Sequence, residues 1–201
     1  MSNINIFSYN VNGISGTDKR KAVFQWLKTQ NADICLLQEV HFKQSEKEKW
    51  KQEWDGEMIC SGNSKNQMGV SILFRNGLNV KLIETYELEI GRLLAVKCKI
   101  EDKEIVLINI YGPNKDEIDL FQKLENFIKD KSEQLFITGG DFNLVLDPDI
   151  DKQGGNPKTH IKCRKKLKEI IETYELSDIY RIRNPLTKRF TWRSKVHSSI
   201  V

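Results

Sequence analysis

Short apolar runs, each halted by Gly, Asn or Pro, recur along the chain and alternate with a few segments of helical period, which limits it to strands packed under helices. Asn3 to Tyr9 alternates as a buried strand and stops at the turn cluster Asn10-Val11-Asn12-Gly13. Asp33 to Leu37 reads as a second buried strand, ending at Gln38-Glu39. Two antiparallel hairpins are expected next. Gly69 to Phe74 and Asn79 to Tyr86 flank Arg75-Asn76-Gly77, and Leu93 to Ile100 and Ile105 to Ile110 flank Glu101-Asp102-Lys103. Gln134 to Thr138 is a further buried strand delivering Gly139-Gly140-Asp141-Phe142-Asn143, and Phe190-Thr191-Trp192 is strand-like.

Four segments have helical spacing. From Asp18, a possible cap, to Gln30, the residues Ala22, Val23, Trp26 and Leu27 share a face. Lys43 to Glu53 is a charged surface helix pinned by Trp50 and Trp54. Glu117 to Lys129 turns Leu120, Phe121, Leu124, Phe127 and Ile128 inward, and Ile161 to Tyr174 does so with Leu167, Ile170 and Ile171. The expected fold class is α+β, with two mostly antiparallel sheets face to face and helices outside. With 201 residues and no linker or repeat, one domain is expected over 1–201.

A hydrophobic fraction of 39% with 30% charged residues excludes a disordered chain. The net charge of +4 leans towards a polyanionic partner without requiring one. Cys35, Cys60, Cys98 and Cys163 form no CxxC pair and no Cys/His cluster at zinc-ligand spacing, so they read as free thiols of a reducing compartment. No signal peptide or membrane span is legible. The expectation is an intracellular protein, nuclear or cytoplasmic, monomeric and away from membranes.

One arrangement repeats at the strand ends, where an apolar run closes on a residue able to bind a metal or a phosphate. Asn10, Glu39, Asn109 with Tyr111, and Asp141 with Asn143 all stand so. Carboxylates and carboxamides are hard oxygen ligands, suited to magnesium rather than zinc. Singly, each has a plain alternative as a turn former, a cap or a solvated strand end. Four strand ends carrying such groups point to a common site.

The same stretches resemble the endonuclease/exonuclease/phosphatase family, and within it the apurinic-like endonuclease domains of retrotransposons without long terminal repeats. The resemblance rests on Tyr9-Asn10-Val11-Asn12-Gly13, Leu37-Gln38-Glu39, Asn109-Ile110-Tyr111-Gly112-Pro113-Asn114 and Gly140-Asp141-Phe142-Asn143. Leu176-Ser177-Asp178-Ile179-Tyr180-Arg181, Asn184-Pro185 and Phe190-Thr191-Trp192-Arg193-Ser194 extend it and point to the DNA-cleaving branch.

The resemblance implies a four-layer sandwich and magnesium, or manganese, held by Glu39 with Asn10, Asp141 and Asn143. It implies that Asp141 deprotonates the attacking water, Asn143 positions it and Tyr111 hydrogen-bonds the scissile phosphate. DNA would be the partner, contacted by Asn12, Thr191 and Arg193, and a downstream reverse transcriptase would use the 3′-hydroxyl left by cleavage. Two basic groups could track phosphates: Lys162, Arg164, Lys165, Lys166 and Lys168, then Arg181, Arg183, Lys188, Arg189 and Arg193.

The family continues with a strand bearing Ser-Arg-Ile-Asp or similar and a closing Ser-Asp-His. His41, His160 and His197 lie outside any such motif. The expectation is therefore a domain lacking its last strands, weakly active or inactive as it stands. The alternatives are a phosphatase or phosphodiesterase of the same fold acting on inositol phosphates or nucleotides, and a catalytically dead remnant that binds nucleic acid.

Overall fold

The computed structural model describes residues 3–62, 68–154 and 159–192. Eight strands form two four-stranded sheets. The first holds β1 (Ile6–Asn10), β2 (Ile34–Gln38), β3 (Gly56–Ser61) and β4 (Val70–Arg75) in the order β1-β2-β4-β3. The second holds β5 (Val80–Glu89), β6 (Leu93–Ile100), β7 (Lys103–Tyr111) and β8 (Phe136–Asp141) in sequence order. Six α-helices and a 3-10 turn (Gln44–Glu46) complete the described residues: α1 (Thr17–Thr29), α2 (Lys47–Trp54), α3 (Asp119–Asp130), α4 (Pro148–Asp151), α5 (Ile161–Thr173) and α6 (Ile179–Arg183). None is long and apolar enough to cross a membrane.

The chain divides into two compact units, residues 1–112 with 133–141 and residues 113–132 with 142–201. Both sheets lie in the first unit. Their inner faces share one core, with Ile34, Leu36, Ile72 and Phe74 from the first sheet against Leu94, Val96, Cys98 and Leu107 from the second. The outer face of the first sheet is sealed by α1 and α2, where Phe24, Leu27, Trp50 and Trp54 pack with Cys35, Leu37 and Leu73. Strand alternation explains both layers: Leu36 faces one core and Leu37 the other, so β2 is buried along its whole length.

Each sheet contains one parallel pair. Asn10 stands opposite Gln38 at the end of β1 and β2, and Tyr111 opposite Asp141 at the end of β7 and β8. Parallel neighbours need a crossover, which α1 supplies for the first pair. Because the pairs run parallel, their carboxyl ends finish together, and that directionality is what positions the site.

Several expectations change. The turn Arg75-Asn76-Gly77 does not close a hairpin: β4 pairs with β2 and β3, whereas β5 pairs with β6 in the other sheet. The hairpin of β6 and β7 forms as expected, in full antiparallel register. Helix α1 begins at Gly16 without a side-chain cap, so Asp18 lies inside the first turn. Its buried face is Arg20, Phe24 and Leu27, while Ala22 is exposed and Trp26 lies on the surface with its ring against Phe7 and Tyr9. Phe190, Thr191 and Trp192 form no strand.

Arg20 is fully buried and accounts for the rotation of α1. Its Nε lies 2.5 Å from Glu53 Oε2 and its Nη2 lies 3.0 Å from Oε1. Nη1 donates to the carbonyls of Ile14 and Ser15, and the guanidinium stands 4.9 Å from the centroid of the Trp50 ring. A planar, five-donor cation can be satisfied under a helix in this way where a lysine could not.

The second unit contains α3 to α6. Leu120, Phe121, Leu124, Phe127 and Ile128 of α3 are all buried, as the spacing predicts. On α5 the buried residues are Cys163, Leu167 and Ile170, with Ile171 half-buried. All four cysteines are free thiols, and Cys60 is the one that is not fully buried.

Candidate active site

Four residues of the first unit meet at the shared end of the two parallel strand pairs. The Asn10 carboxamide bridges two carboxylates, donating from Nδ2 to Glu39 Oε1 at 2.8 Å and to Asp141 Oδ2 at 2.9 Å. Its oxygen accepts the backbone N–H of Asn12 at 3.0 Å, so Asn10 would offer that oxygen to a cation only after its amide turns over. Two carboxylates drawn to one neutral amide would repel each other unless a cation joined them, so the donor set fits a hard divalent ion. Glu39 adopts φ 53 immediately after β2, a left-handed turn that lets its side chain leave the sheet.

Tyr111, the last residue of β7, completes this group by hydrogen-bonding Glu39. Burial first, then that hydrogen bond and the charges of Glu39 and Asp141, push its phenol up to about 12, against the opposing charge of Arg92. The hydroxyl therefore stays protonated at neutral pH and can donate. Arg92 stacks its guanidinium 5.1 Å from the Tyr111 ring centroid and donates from Nη1 to Gly112 O at 2.9 Å. Nothing in the spacing of the sequence marks Arg92; only its place after Gly91, at the turn between β5 and β6, could have done so.

Gln38 and Asn109 brace the group from within the first unit. Gln38 Nε2 donates to Asn109 Oδ1 at 2.7 Å, and Asn109 Nδ2 donates to Leu37 O at 2.9 Å and Ser71 O at 2.8 Å. Asn109, which the sequence places among possible metal or phosphate ligands, is thus fully buried and committed to a clamp between the sheets. The correction follows from its position: it shares a face of β7 with Tyr111 but stands two residues short of the strand end, inside the layer between the sheets.

Gly140 explains the glycine of the Gly140-Asp141 pair. Its φ is +146, and a Cβ there would stand 2.0 Å from Ile110 O. Gly140→Ala must therefore push β8 away from β7, and with it Asp141. We expect a loss of at least about 2 kcal/mol in stability, read from denaturant midpoints, because backbone strain and a clash with a main-chain oxygen act together.

Asn12 is exposed at φ 47 on the turn after β1. Asn143, in the second unit, has φ 54. Thr191 is exposed in a bend of that unit, and Arg193 lies outside the described residues. Of the basic residues, Arg164 donates to Val145 O and Thr159 O, and Lys166 pairs with Glu125 at 2.7 Å. Arg181 pairs with Asp151 and donates to Asn184 O. These three cations hold their own unit together, which leaves Lys162, Lys165 and Lys168 of the first basic group to face solvent.

The fold, with a carboxylate pair at its strand ends, is that of the hydrolytic nucleases and phosphatases, and the sequence agrees. Residues 7–196 match the endonuclease/exonuclease/phosphatase family, and the chain belongs to that family. It is 26% identical over 192 residues to the Transposon TX1 uncharacterized 149 kDa protein of Xenopus laevis, a match that covers 94% of this chain. The chain spans 14% of the length of that relative. Among solved structures, it is similar to an AP endonuclease from Archaeoglobus fulgidus, with a TM-score of 0.74 and 21% identity over 96% of this chain and 79% of that one. The endonuclease domain of TRAS1, a telomere-specific non-LTR retrotransposon, gives a TM-score of 0.61 and 15% identity, covering 83% of this chain and 72% of that one. At these identities the structural likeness establishes the fold: two mixed sheets in the sandwich of the AP endonucleases.

Proposed function

We propose that the chain carries the centre of a magnesium-dependent DNA endonuclease that nicks target DNA for a retrotransposon. The observation that supports this best is the single amide of Asn10 holding Glu39 and Asp141 together, with the Tyr111 phenol on Glu39. Glu39 would be the principal ligand of the metal, with Asn10 and Asp141 beside it. Bound magnesium supplies neutralisation of charge on the phosphate and on the departing 3′ oxygen.

The chain's own groups do the rest. Asp141 takes a proton from the water whose oxygen attacks phosphorus, and Asn143, two residues further along, positions that water or a phosphate oxygen. Tyr111 donates its hydroxyl hydrogen to a non-bridging phosphate oxygen, where charge grows as the new bond forms. The bond from phosphorus to the 3′ oxygen breaks, that oxygen takes a proton from solvent, and a 5′-phosphate and a 3′-hydroxyl that could prime a reverse transcriptase are left. Asn12, Thr191 and Arg193 are the proposed DNA contacts.

Magnesium-dependent conversion of supercoiled plasmid to the open circle, by the longest reading frame that contains this chain, tests the proposal. Nicking that chelation abolishes and magnesium restores is the expected result. Release of phosphate from an inositol phosphate or a nucleotide, with plasmid untouched, contradicts it. Tyr111→Phe should slow nicking by about 10²-fold with little change in KM for DNA, since it removes one donor to the developing charge.

A further inference from the structure

Asp116, His160 and Cys163, all in the second unit, bring one carboxylate oxygen, one imidazole nitrogen and one thiol sulphur within 4.8 Å of one another. None of them takes part in the centre described above. Asp116 precedes α3 and caps α5 from a distance: its oxygens accept the backbone N–H of Lys162 at 3.0 Å and of Cys163 at 2.9 Å. Cys163 is fully buried in the first turn of α5, its Sγ 3.2 Å from Glu117 O.

Capping explains Asp116 and leaves a free lone pair on each of its oxygens. It does not explain His160. That residue sits at the N-cap of α5 in the left-handed region, at φ 55, and its side chain caps nothing. Its Nδ1 is shut away from solvent with no hydrogen-bond partner among the described residues. A buried nitrogen in that condition is costly unless something meets its lone pair.

We infer that Asp116, His160 and Cys163 form a second metal site, for a zinc-class transition ion rather than for magnesium. Thiolate and imidazole are the donors such an ion prefers, in contrast to the all-oxygen and amide set of Asn10, Glu39 and Asp141. Tetrahedral zinc places its ligand atoms about 3.5 Å apart, so a side-chain adjustment of about 1 Å closes the triangle. The thiol proton would be released as the sulphur binds, and a water carried in with the ion would fill the fourth position. Such an ion would pin the segment before α3 to the start of α5. Sequence spacing alone hides the site, because only His160 and Cys163 are near neighbours and the third ligand lies more than a helix away along the chain.

Cobalt titration of the purified chain is the test, since cobalt at an oxygen-ligand centre shows no sulphur transition. The expected result is roughly one equivalent of cobalt bound with a near-ultraviolet thiolate charge-transfer band, displaced by zinc. Cys163→Ala should lose the band, and His160→Asn, which tolerates the left-handed backbone, should weaken cobalt binding by about tenfold or more. Far-ultraviolet circular dichroism checks that both variants are folded. The absence of the band at millimolar cobalt, its persistence in folded Cys163→Ala, or undiminished binding by folded His160→Asn would each overturn the assignment. None of these readouts depends on nuclease activity, so the site stands or fails separately from the proposed function.

Discussion

Asp141→Asn should lower plasmid nicking by about 10²- to 10⁴-fold, the range a positioned general base contributes, if Asp141 plays the role proposed for it, while circular dichroism and the denaturation midpoint should stay near those of the parent chain. The substitution keeps the shape and removes the basicity. Asp141 receives one of its hydrogen bonds from Asn10 Nδ2, which an amide oxygen can also accept, so the fold has no reason to fail. Glu39→Ala should be equally damaging, but by a different route. It frees Asn10 Nδ2 and the Tyr111 hydroxyl from their common acceptor and removes the proposed principal ligand, so added magnesium restores little. Near-parental nicking by either variant would remove the assigned role.

The largest effect on stability is expected at Arg20, far from the chemistry. Arg20→Ala leaves Glu53, whose side chain is 11% exposed, without its bidentate partner, and empties the space beneath the Trp50 ring. Breaking a buried pair on one side costs about 3–5 kcal/mol, which for a chain of this size lowers Tm by roughly 10 °C. Arg20 also sets a pH dependence. Its hydrogen bond first, and then its charge, hold the Glu53 carboxyl below the usual glutamate range against the opposing effect of desolvation. A lowered folded-state value means that the contribution is whole above the ordinary glutamate pKa and lost as pH falls through the lowered one. The stability curves of the parent and Arg20→Ala should therefore converge in acid, and a constant gap down to the acid limb would contradict the account.

The contrast between α3 and α1 shows what could be read from the chain beforehand. On α3 the five apolar residues at helical spacing are the five that are buried, because nothing else in that helix competes for the inner face. On α1 the spacing puts Ala22 and Trp26 on the apolar face, and the structure leaves both exposed. The partner that turns Arg20 inward is Glu53, which lies in a different helix, and no local pattern could announce it. Turn chemistry has the same limit. Arg75-Asn76-Gly77 correctly marks a reversal of the chain, yet both edges of β4 are already taken by β2 and β3, so the next strand joins the other sheet.

The site was more legible than the topology, for a physical reason. Strands of a parallel pair must end at one side, and polar residues that follow apolar runs collect there. Asn10, Glu39, Tyr111 and Asp141 were all visible in that way. Asn109 carries the same signal and serves another purpose, because it stands two residues short of the strand end, where Gln38, Leu37 and Ser71 take up its amide. Arg92 carries only the faint signal of its turn after Gly91, and the Asp116, His160 and Cys163 group carries none, since each depends on contacts between segments far apart in the sequence.

Asn10, Glu39 and Asp141 are proposed to serve a shared cation. Crystals grown with manganese, with anomalous data collected at its absorption edge, ask this most directly. We expect one strong anomalous peak in coordination range of the Glu39 carboxylate, with Asp141 and Asn10 around it, and its loss in Glu39→Ala. A manganese peak held elsewhere, or density showing those three side chains occupied by water and one another at saturating metal, would contradict it.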